Sequence, residues 1–166
     1  MVLQGDRKPY ATGAAVQQTE ISGVIALACD HAGVALKLNL KAYLAGMGRR
    51  VLDLGTDGPE SVDYPDYAAK MAEALADGRA QMGILICGTG IGMTIAANRY
   101  DHVRAAPVHD AFGAALSRRH NDANVIVFGG RMVGEELARD CLRVFLETPF
   151  EGGRHQHRID KLGARH

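Results

Sequence analysis

Residues 83–93 (GILICGTGIGM) join a short apolar run to a glycine-rich loop. A continuous apolar run of this length is typical of a strand that is buried on both faces, as in parallel sheets covered by helices. Cys87 ends the run, and the glycines at positions 88, 90 and 92 allow the backbone to turn tightly and to approach a ligand closely. The segment therefore predicts a buried strand that ends in a thiol and turns into a helix near Gly92.

Apolar runs alternate with helical patterns along most of the chain. The predicted strands are residues 24–29, 51–54, 83–87, 103–108 and 125–128. A helical pattern follows each run: Gly48 stops the first helix, Pro65 suits the first turn of the second, and Asp110 caps the fourth. A pair of glycines precedes a last short helix from about Arg154. The pattern predicts an α/β fold, a three-layer Rossmann-like sandwich in which helices flank a five-stranded parallel sheet.

The length of 166 residues suits a single domain. We expect this domain to span residues 21–166, and residues 1–20, which show no periodicity, to form a flexible leader. Nineteen basic and nineteen acidic residues balance and there is no Trp, so we expect no nucleic-acid partner. The sequence lacks a membrane-length apolar stretch and a secretory signal, and its three cysteines fit neither a disulfide framework nor a zinc site. We therefore expect a cytoplasmic protein with no membrane partner and no metal site.

Polar residues follow the predicted strands at their carboxyl ends, the edge at which open α/β sheets bind ligands. The loop after Cys87 also begins a helix, whose unpaired N–H groups bind anions and stabilise a thiolate. A P-loop is excluded because no Gly-Lys-Ser/Thr follows, and a dinucleotide fingerprint fails at its third glycine, where Met93 stands. The structural alternative for the glycine-rich loop is an ordinary tight turn without a ligand. The structural alternative for Cys87 is a buried apolar cysteine, which is the interpretation that we favour for Cys29 and Cys141.

Three further motifs each allow a structural and a functional interpretation. Asp30 and His31 either contact a substrate hydroxyl or cap a helix beside a solvated ring. Residues 120–122 (HND) are locally better explained by a helix end and a turn. Arg154 and Arg158 lie four apart on one helix face, which suits a phosphate group as well as a solvated basic surface.

Seven collinear segments resemble the type B ribose-5-phosphate isomerase family, which includes related galactose- and allose-6-phosphate isomerases. They are residues 29–31 (CDH), 63–65 (DYP), 83–92 (GILICGTGIG), 95–98 (IAAN), 117–122 (SRRHND), 128–131 (FGGR) and 151–155 (EGGRH). The resemblance runs from about residue 24 to about residue 158 and leaves out the leader. It implies an enzyme that interconverts an aldose phosphate and a ketose phosphate through an enediol, without a metal or an organic cofactor.

The resemblance also implies a role for each matched residue. Cys87 matches the base that moves the proton between carbons 1 and 2, Thr89 a hydroxyl that assists at the oxygens, and His120 the residue that opens the furanose ring. The backbone N–H groups of residues 88–92 match the anion hole for the enediolate. The substrate-binding positions that it implies are Asp30, His31, Asp63, Tyr64, Gly88, Gly90, Ile91, Gly92, Asn121, Arg131, Arg154 and Arg158. Among these, His31 and the three arginines match phosphate contacts.

One branch of the family uses a glutamate base at the position of Met93, so this chain resembles the cysteine branch. Residues 108–112 (VHDAF) depart from familiar members and leave the identity of the sugar open. The resemblance further implies a homodimer, or a dimer of dimers, whose active sites are shared between subunits.

The sequence therefore predicts an aldose–ketose isomerase that interconverts ribose 5-phosphate and ribulose 5-phosphate, with Cys87 as the proton-shuttling base. The same chemistry on another four- to six-carbon sugar phosphate, or on a rare aldose, is an alternative. Another is a non-catalytic regulatory domain that binds a sugar phosphate. A nucleotide-binding module is weaker still, given Met93 and the missing Walker lysine.

Overall fold

The computed structural model describes residues 23–162, so the predicted leader, residues 1–20, lies outside the described residues. The strands are β1 (Ile25–Cys29), β2 (Val51–Asp53), β3 (Met82–Cys87), β4 (Ala105–Pro107) and β5 (Val125–Gly129). The α-helices are α1 (Val34–Gly46), α2 (Tyr64–Ala76), α3 (Ile91–Ala97), α4 (Ala111–Asn121), α5 (Glu135–Glu147) and α6 (Arg154–Leu162). A short 3-10 turn, His31–Gly33, precedes α1.

The strands form one five-stranded sheet in the order β2-β1-β3-β5-β4, and every pairing is parallel. This confirms the predicted α/β fold and the strand count. The strand predicted over residues 103–108 is shorter than expected, because the N–H of Val103 donates to the carbonyl of Tyr100 at 2.9 Å and forms a turn instead. Pro107 is tolerated since β4 lies at an edge of the sheet, where a missing N–H breaks few ladder bonds.

Two apolar layers cover the sheet. Helices α1, α4 and α5 pack on one face, against side chains such as Ile84 and Phe128. Helices α2 and α3 pack on the other face, against side chains such as Leu85 and Cys87. Helix α6 packs on α4. None of the helices within residues 23–162 has the length and apolar character needed to cross a bilayer.

The predicted helix boundaries have the expected local chemistry. Gly48 follows α1 with a φ of 70°, a left-handed conformation that ends helices and favours glycine. The side chain of Asp110 accepts the N–H of Gly113 at 2.7 Å and caps α4. Gly152 and Gly153, with φ of 66° and 56°, separate α5 from α6.

The most unusual core residue is Lys37 on α1, which is fully buried. Its ammonium donates to Asp57 at 2.6 Å and to Asp53 at 3.0 Å. Burial acts to lower the pKa of Lys37, but hydrogen bonds to Asp57 and Asp53 outweigh it and raise that pKa. For Asp53, burial acts to raise the pKa, but hydrogen bonds from Lys41 and Lys37 outweigh it and lower that pKa. The cluster anchors the end of β2 and the following loop to α1.

We expect Asp53→Asn to destabilise the protein by about 2–3 kcal/mol at pH 7, because it leaves the buried Lys37 with Asp57 as its main partner. The folded-state pKa of Asp53 lies below its unfolded value, so its contribution is present above the unfolded pKa and is lost as pH falls through the folded pKa. In urea unfolding, the difference in free energy of unfolding between the parent protein and Asp53→Asn should therefore become smaller below about pH 4. Asp140→Asn, which breaks a more exposed pair with Arg143, is the matched control and should cost less than about 1 kcal/mol. If Asp53→Asn lost no more stability than Asp140→Asn, the proposed stabilisation of Lys37 by Asp53 would be contradicted.

Candidate active site

The central strand β3 ends beside a crevice at the carboxyl edge of the sheet. Helix α1 follows β1 on one face of the sheet, whereas α3 follows the neighbouring β3 on the other face. Loops that leave adjacent strands toward opposite faces open a crevice at the carboxyl edge, where α/β proteins bind ligands. The topology thus brings Asp30 and His31, after β1, beside the loop that follows Cys87.

The loop after β3 holds the Cys87 side chain in place. The N–H of Gly90 donates to Cys87 Sγ at 3.1 Å, and the thiol is only 4% exposed. Gly90 has a φ of 81°, and a Cβ there would lie 3.2 Å from the backbone of Phe128, so both conformation and space favour glycine. An N–H group directed at sulfur stabilises negative charge on it, which suits a proton-transferring thiolate.

The start of α3 lies beneath an aromatic ring. A Cβ on Gly92 would lie 2.7 Å from the ring of Tyr64, so the glycine lets Tyr64 lie close over the first turn of the helix. The exposed Thr89 accepts the N–H of Ile91 through its hydroxyl at 3.3 Å. The first N–H groups of an α-helix lack an intrahelical acceptor. The arrangement can therefore bind a small anion beside the thiol.

Arg131 brings a positive charge to the same loop. Its N–H donates to the carbonyl of Gly88 at 3.1 Å, and the N–H of Gly130 donates to the carbonyl of Cys87 at 2.7 Å. The guanidinium lies 3.7 Å from the position that a Cβ on Gly88 would occupy. The loops after β3 and β5 are thus tied together, with an arginine next to the candidate anion site.

The contacts of the residues that follow β1 fit the structural interpretation in part and leave room for a ligand. Asp30 is buried and accepts the N–H of Ala32 at 2.9 Å, which is the predicted cap. His31 is not simply solvated, because its Nδ1 accepts the N–H of Val62 at 3.3 Å and ties the loop before α2 to β1. Asp63 is the N-cap residue of α2 but makes no capping hydrogen bond through its side chain. Its exposed carboxylate remains available to a ligand.

We call these residues the carboxyl-edge cluster. Its members are Asp30, His31, Asp63, Tyr64, Cys87, Gly88, Thr89, Gly90, Ile91, Gly92 and Arg131. The other two cysteines do not belong to it. Burial raises the pKa of Cys29 and that of Cys141 to about 11 each, which agrees with structural thiols.

The remaining predicted residues lie at the opposite edge of the sheet. Helix α4 has 11 residues and spans about 16 Å, so it starts near the carboxyl ends of the strands and finishes near their amino ends. Accordingly the side chain of Arg104, just before β4, donates to the carbonyl of Asn121 at 3.2 Å. Helix α6 packs here too, since the rings of His120 and His155 stack with centroids 4.2 Å apart. We call His120, Asn121, Arg154 and Arg158 the amino-edge cluster.

The end of α4 is held rigidly. Asp122 has a left-handed conformation, with a φ of 43°, and its carboxylate accepts hydrogen bonds from Arg104 at 2.9 Å and from Arg118 at 2.8 Å. The buried Arg118 also donates to the carbonyl of Ala123 at 2.6 Å. These contacts fix the backbone that carries His120 and Asn121.

A cavity of about 580 Å³ lies along β4 and away from Cys87. Asn121 and Ile159 line it, together with Arg104 and the strand itself. The cavity lies beside the amino-edge cluster because β4 is an edge strand with no neighbouring strand on that side of the sheet. A single copy of the chain therefore presents two separate surfaces that carry predicted site residues.

Among the described residues, one group has the composition of a metal site. His120, Glu151 and His155 each offer a ligand atom, and these atoms lie within 4.8 Å of one another. However, the two imidazole rings stack with only 7° between their planes. Lone pairs in parallel rings point in parallel directions and do not converge on one ion, so the arrangement favours contact between the side chains over metal binding.

Two residues of interest were not assigned a role from the sequence. Lys37 occupies an apolar helix stripe, and only its pairing with Asp53 and Asp57 in the folded chain accounts for it. Glu151 lies in a matching segment, but the resemblance implies no role for it, yet its carboxylate lies beside both stacked histidines. Its position directly before Gly152 and Gly153 is the feature of the sequence that points to it.

The family model described as Ribose/Galactose Isomerase matches residues 25–162. Ribose-5-phosphate isomerase B of Escherichia coli is 47% identical over 140 residues, which cover 84% of this chain and 94% of that protein. D-erythrulose-4-phosphate isomerase of Pectobacterium atrosepticum is 42% identical over 84% of this chain and 92% of that protein. The crystal structure of a ribose 5-phosphate isomerase from Thermotoga maritima is similar with a TM-score of 0.84 at 51% identity, covering 85% of this chain and 97% of that one.

Proposed function

The chain belongs to the ribose/galactose isomerase family and is an isomerase, and we propose that it interconverts ribose 5-phosphate and ribulose 5-phosphate with Cys87 as the base. The observation that carries the proposal is the buried Cys87 thiol at the end of the central strand, with the N–H of Gly90 directed at its sulfur. The names of the Escherichia coli and Thermotoga maritima relatives support the choice of substrate.

The proposed reaction moves one proton between two carbons and one between two oxygens, and it needs no external oxidant or reductant. The Cys87 thiolate removes the proton on carbon 2 of the open-chain aldose, and the electron pair moves to the carbonyl oxygen to give an enediolate. Return of the proton to carbon 1 and transfer of the hydroxyl proton from oxygen 2 to oxygen 1 give the ketose. Thr89 lies in the loop and its hydroxyl can relay the proton between the two oxygens. The N–H groups at the start of α3 can stabilise the enediolate charge.

The wide separation of the two clusters leads to the second part of the proposal. The carboxyl-edge cluster carries the proposed base, whereas His120, Arg154 and Arg158 lie at the other edge of the same sheet. We propose that the protein is a homodimer in which the amino-edge cluster of one copy completes the carboxyl-edge cluster of the other. Such an arrangement would place the phosphate on Arg154 and Arg158 and leave the loop N–H groups for the enediolate.

The substrate is tested with a panel of sugars, namely ribose 5-phosphate, erythrose 4-phosphate, allose 6-phosphate and the free aldoses. We expect the highest kcat/KM for ribose 5-phosphate, by at least about tenfold. A preference for the four-carbon sugar would favour the alternative that the Pectobacterium atrosepticum relative supports. Binding of ribose 5-phosphate without turnover would instead favour a regulatory binding domain.

Arg154→Ala should lower kcat/KM for ribose 5-phosphate by about 10- to 100-fold, because an ionised hydrogen bond to phosphate contributes about 1.5–3 kcal/mol. Turnover of the free aldose, which has no phosphate to lose, should change less than about twofold. The control is Arg79→Ala, which removes an exposed arginine at the end of α2. Equal losses for the phosphorylated and the free sugar would show that Arg154 does not bind phosphate.

A further inference from the structure

Glu151 lies between two histidines in the loop that joins α5 to α6. Its carboxylate Oε2 is 3.9 Å from Nε2 of His120 and 3.6 Å from Nε2 of His155. Its backbone N–H donates to the carbonyl of Arg119 at 3.1 Å, so the residue is anchored to the last turn of α4, next to His120 itself.

His155 supports His120 from the other side. The two rings are stacked and nearly parallel, with 7° between their planes and 4.2 Å between their centroids. His155 is 5% exposed, and its burial, followed by the nearby charge on His120, lowers its pKa. A buried ring stacked on His120 is a flat surface that limits how far the His120 ring can tilt. The carboxylate lies on the Nε2 side of the His120 ring, 3.9 Å from that nitrogen.

We propose that Glu151 is a positioning residue that orients His120 for opening of the cyclic sugar phosphate. The inference rests on the proposed function, in which His120 acts on the furanose ring. A carboxylate beside Nε2 favours the tautomer with its proton on that nitrogen, and Nδ1 is then the basic nitrogen.

The step that Glu151 supports is balanced in atoms and protons. His120 takes the proton of the anomeric hydroxyl, the electron pair of that O–H bond forms the carbonyl at carbon 1 as the bond between carbon 1 and the ring oxygen breaks, and the protonated His120 returns the proton to the ring oxygen. The product is the open-chain aldehyde, and nothing is oxidised or reduced. Ribulose 5-phosphate needs no such step, because the hydroxyl that could close its five-membered ring carries the phosphate.

This difference between the two sugars provides the test. Turnover of ribose 5-phosphate requires ring opening, whereas exchange of a carbon 1 proton of ribulose 5-phosphate with deuterium from the solvent requires only the enediol step. We expect Glu151→Gln to lower kcat/KM for ribose 5-phosphate by about 10- to 30-fold, and to change the exchange rate by less than about twofold.

The matched control is Glu147→Gln. Glu147 is similarly exposed, 55% against 50% for Glu151, and it pairs with Arg143 on its own helix. The Glu147→Gln substitution should leave turnover of ribose 5-phosphate, deuterium exchange and the unfolding temperature unchanged. Equal losses of turnover and exchange in Glu151→Gln, or no loss in either, would overturn the positioning role. Absence of both activities in the unsubstituted protein would instead contradict the proposed function.

Discussion

Replacing Cys87 with Ala should lower turnover of ribose 5-phosphate by about a thousandfold or more, because it removes the only group proposed to carry the carbon-bound proton. Deuterium exchange at carbon 1 of ribulose 5-phosphate should fall by the same factor. Binding of ribose 5-phosphate, measured by calorimetry, should change by only a few fold, since its phosphate contacts are unaffected. Near-normal exchange in this variant would rule out the thiol as the base.

Two further substitutions separate the chemistry of Cys87 from its packing. Cys87→Ser keeps a similar shape and an acceptor for the N–H of Gly90, but its hydroxyl is a far weaker acid than a thiol. We expect it to fold normally and to be nearly as inactive as the alanine variant. Cys141→Ala, which removes a buried thiol from α5 in the opposite apolar layer, should keep turnover within a few fold.

Met93 stands where the other branch of the family has its glutamate base, and a methionine cannot take up a proton in its place. Met93 is fully buried on the first turn of α3 and packs in the same apolar layer as Cys87. Asp30 is a buried carboxylate, and it accepts the N–H of Ala32. These contacts support Cys87 as the group to test first.

The sheet was predictable because each central strand is a continuous apolar run between glycine or polar residues. β3 and β5 agree with the runs at residues 83–87 and 125–128 to within one residue at each end. β4 was the least accurate, since the turn that shortens it depends on the carbonyl of Tyr100. β2, the other edge strand, was predicted to within one residue, so the error in β4 comes from this turn and not from its place at the edge of the sheet.

The site was only partly predictable for a similar reason. Strand ends and glycines pointed to the loop after Cys87, because backbone geometry there follows from local sequence. The close approach of Tyr64 to Gly92 and the contacts of Glu151 with two histidines depend on packing between distant elements. Lys37 could not be distinguished from a surface lysine until its two carboxylate partners were brought to it by the fold.

The shared-site proposal predicts that two inactive variants restore each other. Cys87→Ala lacks the proposed base, and the double variant Arg154→Ala/Arg158→Ala lacks the two exposed arginines proposed to bind phosphate, so each homodimer should retain less than about 1% of kcat/KM. In a mixed dimer, one site combines an intact Cys87 from one copy with intact arginines from the other. With random pairing, half of the dimers are mixed and each has one intact site of two, so co-expression should yield about 25% of the parent activity.

The measurement is turnover of ribose 5-phosphate by the co-expressed pair, purified through two different tags so that only mixed dimers are retained. These should approach about half of the parent activity per dimer, because one of their two sites is complete. A mixed dimer of Cys87→Ala with the Arg79→Ala control chain should also keep one site, which calibrates the assay. If the purified pair is no more active than the two homodimers, each site is built within one chain. The separation of the two clusters by the sheet would then need a different explanation.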